Sequence, residues 1–362
     1  MKLDDGEVQP SELMSIGVFA GRSGLTPSAL RFYADSALLL PAEVDPVSGY
    51  RFYHPEQLPR ADMLRQLREI GMPLASVRAV LDAGPEEAAR MIDDHVAKVL
   101  GDAAAARQQA TRLTATLTDG AGVPIATVKG PVLADAVEQV SSATTREPTM
   151  PVLDGIHIEA GPHAITLTAT DRYRLSTRTL VPEEPMASSW SATVDAGDLR
   201  TAVAEMRRCT TVRVEASARG IRLRAVERED QHCRLVAEPF PDYRAMLADL
   251  PEPTTRVTVP KNVLLRALED SAGEHITLTV ADGVSEFLTG DEQSLGSLNA
   301  EATGADLRIS FQLTTFYPAI STAIGPDVML DLRGWDLPVT VRSADRGDLT
   351  TLAMPIDPGH TA

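Results

Sequence analysis

Cysteine is nearly absent from this chain of 362 residues: Cys209 and Cys233 stand alone, outside any CxxC spacing and without histidine partners close in sequence. That excludes a disulfide scaffold and a thiolate metal cluster, and it fits reduced thiols in a cytoplasmic protein. No run of about 18 apolar residues occurs, so no helical membrane span is expected. The opening residues, MKLDDGEVQPSE, are acidic and lack the apolar stretch of a signal peptide. GxSxG, HExxH and phosphate-binding glycine loops are missing too, and His157, His163, His232 and His275 have no ligand spacing. No enzyme activity, metal site or cofactor is expected. Positive charge is short: the net charge is −17. Residues 1–118 carry 12 Lys and Arg against 16 Asp and Glu, and the remainder 22 against 35. A general nucleic-acid binder is excluded, and any DNA contact must come from a local basic surface in the N-terminal part.

What is present is enough chain for two or three domains, with 43% apolar residues to build their cores. One stretch organises the rest. After Gly84-Pro85 a helix is expected over Pro85–Thr118, proline suiting a first helical position. Two interleaved seven-residue series run along it: Ile92, Val99, Ala106, Leu113 and Val96, Ala103, Ala110, Leu117. At 1.5 Å per residue the helix is roughly 50 Å long. The series predicts a coiled-coil dimer seam, the alternative being a helix packed on its own chain.

Before that helix the chain reads as small helices around a turn-rich hairpin. Met14–Ala20 forms a short helix, Gly21-Arg22-Ser23-Gly24 a tight turn, and Thr26 an N-cap for a second helix through Leu30, Phe32 and Tyr33. That is a helix-turn-helix pattern, whose second helix can enter a major groove. Phe32 and Leu30 are expected in the core. Asp45–Gly49 separates Leu38–Leu40 from Tyr50–Tyr53 as a two-stranded wing, where Arg51 and Tyr53 can offer a charge and a hydroxyl to phosphates. Helices over about Glu56–Ile70 and through Val77, Val80 and Leu81 follow.

SIGVFAGRSGLTPSALRFY (Ser15–Tyr33), SGYRFY (Ser48–Tyr53) and LRQLREIGMPLASVRAVLD (Leu64–Asp82), followed by the long helix, resemble the MerR family of transcriptional regulators. The resemblance implies an antiparallel coiled-coil dimer that distorts promoter DNA so that RNA polymerase can engage it. It implies DNA contacts from Arg22, Thr26, Ser28, Arg31, Tyr33, Arg51 and Tyr53. Phe32 stands where a tyrosine is common. The cysteines that metal sensors of the family place near the dimer helix are missing.

The remainder alternates helices and β runs, and one pattern of helix, strands, helix, strands occurs twice, at about 128–250 and 256–357. SSATTREPTMPVLDGIHIEA (Ser141–Ala160), TLTATDRYRLSTRTL (Thr166–Leu180), FPDYRAML (Phe240–Leu247), VPKNVLLRALE (Val259–Glu269) and LAMPI (Leu352–Ile356) resemble the second and third domains of the bacterial DNA polymerase III beta sliding clamp. The clamp's first domain is missing. A ring around DNA is not expected, because Val132–Ser142 carries Asp135 and Glu138 but no basic residue. The resemblance instead implies the clamp's peptide groove, which also takes cyclic peptide antibiotics such as the griselimycins. Matched residue by residue, it comprises Leu153, Thr170, Arg172, Tyr173, Arg174, Leu175, Pro241, Met246, Met354, Pro355 and Ile356. Arg172 stands where glycine is usual and Tyr173 where histidine is usual. The alternative is that Leu153, Leu175 and Ile356 merely seal the boundary between modules.

The expected organisation is an α+β multidomain chain: an extension (1–13), a winged helix-turn-helix (14–83), a dimerisation helix (84–118), a linker (119–127) and two clamp-like modules (128–251 and 252–362). The function this implies is a cytoplasmic, homodimeric, MerR-type regulator of promoter DNA that senses a peptide-like clamp ligand. The alternatives are an interaction protein for clamp-binding peptides of replication or repair proteins, and a decoy that sequesters drug.

Overall fold

The structure, a computed structural model, describes residues 13–118, 122–184, 189–271, 273–290, 292–296, 298, 300–343 and 347–357. The N-terminal extension other than Leu13, residues 119–121 of the expected linker and the side chain of Leu117 lie outside the described residues. The chain divides into two compact units at Arg107/Gln108.

The first unit contains β1 (Met14–Ser15), α1 (Ile16–Ser23), α2 (Pro27–Asp35), β2 (Glu43–Val44), β3 (Arg51–Tyr53), α3 (Leu58–Glu69), α4 (Leu74–Asp82) and most of α5 (Pro85–Thr118). Ser15 caps α1 by accepting a hydrogen bond from Val18 N, and Thr26 caps α2 by accepting one from Ala29 N. The expected turn at Gly21–Gly24 is corrected. The helix continues to Ser23, and Gly24 alone turns the chain, at φ 69°, where the left-handed region favours glycine. The wing is a three-stranded sheet in the order β1-β3-β2, because Met14 and Ser15 pair with Tyr53 and Phe52. Leu38 and Leu39 form no strand and are buried. The core gathers Phe19, Leu30, Tyr53, Leu64, Met72 and Val77, with Phe19 stacked on Tyr53 at 4.6 Å. Phe32, expected inside, is 51% exposed: Leu30 and Tyr33 occupy the buried stripe of α2, and one residue of helix rotation carries Phe32 off it.

Helix α5 starts at Pro85 with Glu86 and Glu87 in its first turn, suited to the positive end of the helix dipole. Met91 and Ile92 are partly buried and pack on the core of their own unit. Val96, Val99, Ala103, Ala106, Ala110 and Leu113 are exposed along the helix in the single chain.

The second unit runs β4 (Val123–Lys129), α6 (Gly130–Ser141), β5 (Gly155–Ala160), β6 (Ile165–Thr170), β7 (Arg174–Leu180), β8 (Trp190–Asp195), α7 (Ala196–Arg207), β9 (Thr211–Ala216), β10 (Gly220–Arg224), β11 (Gln231–Val236) and α8 (Tyr243–Ala248). Then come β12 (Thr255–Pro260), α9 (Lys261–Glu269), β13 (His275–Ala281), β14 (Val284–Thr289), β15 (Glu301–Gly304), β16 (Leu307–Gln312), α10 (Leu313–Thr322), β17 (Asp327–Leu332), β18 (Val339–Ser343) and β19 (Leu349–Ala353). The expected linker is corrected over 123–127, which belongs to β4. This edge strand tolerates Pro124 because its pairing with β9 shifts register between Pro124 and Ala126.

Thirteen strands form one antiparallel sheet in the order β15-β12-β17-β18-β19-β7-β6-β5-β8-β11-β10-β9-β4, and β14-β13-β16 form a second. Two cores lie in this unit. Val137, Leu167, Leu199 and Val214 belong to one, and Leu264, Leu278, Phe316 and Leu330 to the other. The pairing of β7 with β19 carries the sheet from one module into the next, placing Leu175 opposite Leu352.

Candidate functional site

On the first unit, Arg22, Ser28 and Arg31 are exposed. Thr26 is also exposed, but its hydroxyl is engaged in capping Ala29 N at 3.1 Å. Arg51 is paired with Asp35 at 2.8 Å and only a quarter exposed, so it ties the wing to the end of α2. Tyr33 is largely buried. Tyr53 is corrected outright. It has no exposed surface, its hydroxyl faces Leu30 O at 3.4 Å, and burial raises its pKa, so it stabilises the core and cannot reach a phosphate. The exposed aromatic surface that sequence reading missed is Phe32 together with Tyr50. A Tyr53→Phe variant should therefore leave the DNA affinity and its salt dependence unchanged. Arg31→Ala should lower the slope of log affinity against log salt by about one. Gel-shift titrations at several salt concentrations separate the two.

On the second unit, Leu175, Leu352 and Tyr243 form a small buried cluster with Phe240, Leu247 and Leu250 packed around it. Two or three residues along the chain from members of this cluster, Tyr173 is 65% exposed, Met246 44% and Met354 39%. Met354 N donates to Tyr173 O at 2.8 Å, which extends the β7–β19 pairing by one step and ties these two residues together. Pro241 is exposed, and Pro355 and Ile356 are partly covered, with Ile356 N bonded to Ser310 O.

Other expected ligand residues are buried or bonded within the fold. Leu153 is fully buried. Thr170 Oγ1 donates to Arg174 O at 2.7 Å and accepts from Arg172 N. Arg174 is in register with Ala353, on the opposite face from Leu175, and pairs with Asp171 at 2.6 Å. It buttresses the turn.

The segment carrying Pro241 and Met246 is anchored from its other side. Tyr243 Oη donates to Glu159, Arg244 donates to both Glu159 oxygens at 3.1 Å, and Phe240 stacks on His157 at 4.9 Å. Burial would raise the Glu159 carboxyl, but the bonds from Arg244 and Tyr243 outweigh it and hold the group below the usual range. Two recesses lie elsewhere, of about 400 Å³ beside Glu159, Trp190 and Arg244 and about 480 Å³ beside Cys209 and Arg228. Neither is lined by the expected ligand residues. Among the described residues no group of three or more His, Cys, Asp or Glu could hold a metal ion, and no helix is long and apolar enough to cross a membrane.

Residues 14–84 match the MerR HTH family regulatory protein family, and residues 127–242 match the central domain of the DNA polymerase III beta subunit. The chain joins a MerR-type helix-turn-helix to sliding-clamp-like domains. It is 27% identical over 315 residues to the beta sliding clamp of Streptomyces coelicolor, covering 82% of each chain. It is 29% identical over 195 residues to the beta sliding clamp homolog GriR of Streptomyces muensis, covering 51% of this chain and 52% of that one. The griselimycin-bound sliding clamp of Pseudomonas aeruginosa superposes with a TM-score of 0.57 at 20% identity, over 66% of this chain and 67% of that chain.

Within the clamp-like domains, Arg172 sits at φ 76°, a left-handed backbone that favours glycine. Asp171 Oδ1 holds the turn by accepting from Tyr173 N and Arg174 N, while the Arg172 side chain reaches Met150 Sδ. Arg172→Gly should relieve this strain and raise stability by about 1 kcal/mol, measured as a higher urea midpoint at unchanged slope.

Proposed function

We propose that this chain is a ligand-responsive transcriptional regulator that binds promoter DNA as a dimer and senses a clamp-binding, peptide-like molecule in its clamp-like domains. The observation that carries this reading is a buried cluster of Leu175, Leu352 and Tyr243 with exposed Tyr173, Met246 and Met354 two or three residues along the chain from its members, in a chain that also carries a MerR-type helix-turn-helix. Apolar walls over a preformed floor suit a hydrophobic ligand that brings its own backbone carbonyls. The similarity to GriR and to a clamp bound to griselimycin supports a cyclic peptide of that kind. Arg22, Ser28 and Arg31 would position the dimer on DNA, and α5 would join the two chains. The ligand acts only to the extent that it binds the promoter-distorting state more tightly than the other. RNA polymerase is the partner through which that distortion is read.

The test is a calorimetric titration of the full chain with a griselimycin-type cyclic peptide, alongside a linear peptide carrying a general clamp-binding motif. Submicromolar binding of the cyclic peptide, about −8 kcal/mol or better, supports drug sensing. Preferential binding of the linear peptide would favour the interaction-protein reading. Failure of both to bind the folded chain would remove the groove as a sensor.

A further inference from the structure

The chain has two tryptophans. Trp190 is partly buried against the first core of the clamp-like unit, whereas Trp335 is 60% exposed in the turn between β17 and β18. An indole left in water by a loop that is otherwise well anchored is a candidate for contact with a partner.

The anchoring is specific. Arg333 donates from Nη1 to Thr340 Oγ1 at 2.8 Å and from Nε to Pro251 O at 2.8 Å, with a longer bond to Pro338 O at 3.4 Å. Burial lowers the Arg333 pKa, as expected for a guanidinium folded under its own loop. These bonds fasten the start of the turn to its end and to the segment that follows α8.

Strand register decides which face the anchor lies on. Residues directly opposite across an antiparallel pair share a face. Thr170, Leu175, Leu352, Thr340, Asp331 and Arg256 are successive partners across β6, β7, β19, β18, β17 and β12, so they form one row on one face. Leu175 and Leu352 are the floor of the proposed groove, and Thr340, which Arg333 holds, shares their face of the sheet. It lies two strands from Leu175, about 10 Å away.

The neighbouring row fixes the end of the sheet. Val339 opposes Ala353 and Ala353 opposes Arg174, so the turn bearing Trp335, the Met354 wall and the Tyr173 wall all emerge at the same edge.

We infer that Trp335 is a further subsite of the groove, an aromatic wall that receives the far end of the same apolar, peptide-like ligand. This rests on the proposed ligand-sensing function. The exposed row Tyr173, Met354, Trp335 then spans more of the sheet end than the Leu175 floor alone, and it selects ligands long enough to reach across β19 and β18.

The tryptophan is its own reporter. A Trp190→Phe variant leaves Trp335 as the single indole, and saturation with a griselimycin-type cyclic peptide should shift its emission to the blue as water leaves the ring. Trp335→Ala should weaken calorimetric binding of that peptide about tenfold at an unchanged unfolding midpoint, and Trp335→Phe should restore most of the loss. Unaltered emission and full-strength binding to Trp335→Ala, with Met246→Asp still abolishing binding, would overturn the subsite and leave the groove standing. Absence of binding by the folded wild-type chain would overturn the ligand-sensing reading and the subsite with it.

Discussion

The double variant Val99→Glu, Ala106→Glu is expected to be a folded monomer that binds operator DNA about 10²- to 10⁴-fold more weakly than the wild type. Both residues are exposed on α5 in the single chain and belong to one of the two seven-residue series. Glutamate is a good helix former, so the helix itself should survive. Met91 and Ile92, which pack the start of α5 on its own core, are untouched. In a dimer seam, two unpaired carboxylates per chain facing their counterparts would each cost about 3–5 kcal/mol, more than such an interface can absorb. Loss of the dimer leaves each helix-turn-helix to find its half-site alone, and the effective-concentration advantage of two tethered sites disappears. Light scattering after size exclusion reads the mass, and gel shift reads the affinity. A variant that stays dimeric at full affinity would show that the seam lies elsewhere.

The second large effect is a contrast between two aspartates in one groove. Met246→Asp should abolish binding of a griselimycin-type cyclic peptide while changing stability by less than about 0.5 kcal/mol, because the side chain is a well-exposed wall. Leu175→Asp should unfold much of the clamp-like unit. Leu175 is 6% exposed and packed with Leu352 and Tyr243 at the pairing that joins the two modules. Its removal costs about 3 kcal/mol of packing, and a carboxylate without a partner adds to that. Urea denaturation alongside calorimetry separates the two cases. Peptide binding unchanged in Met246→Asp would place the ligand away from this groove.

Much of this architecture was legible because several elements carry strong local signals. Thr26-Pro27 starts α2, Gly84-Pro85 starts α5, and the alternation in Gly155–Ala160 and Arg174–Leu180 gives β5 and β7. Other strands were hidden. Strand β11 reads QHCRLV, with polar or basic residues at three of its six positions, and its neighbours in the sheet make it a strand. Strand β4 was obscured by Pro124, which is tolerated because the strand is at an edge. The DNA face was half legible. Arginines on a helix-turn-helix announce themselves, but whether an aromatic in RFY points inward depends on one residue of helix rotation. That is why Phe32 is exposed on α2, whereas Tyr53 is turned inward by the pairing of β3 with β1.

The sequence by itself determined the modular order, the long heptad helix, the lack of cysteine along that helix, and the two family resemblances that frame the function. Those properties reside in composition, caps and short motifs, which act within a few residues. Only the tertiary structure decided which of the expected groove residues are exposed, which are buried and which brace the turn, and that Trp335 stands at the same sheet end as Tyr173. Those facts depend on pairing between β7, β19 and β18, segments more than 150 residues apart in the case of Leu175 and Leu352. Strand register, which assigns each side chain to a face, is fixed by packing and is not written in any one strand.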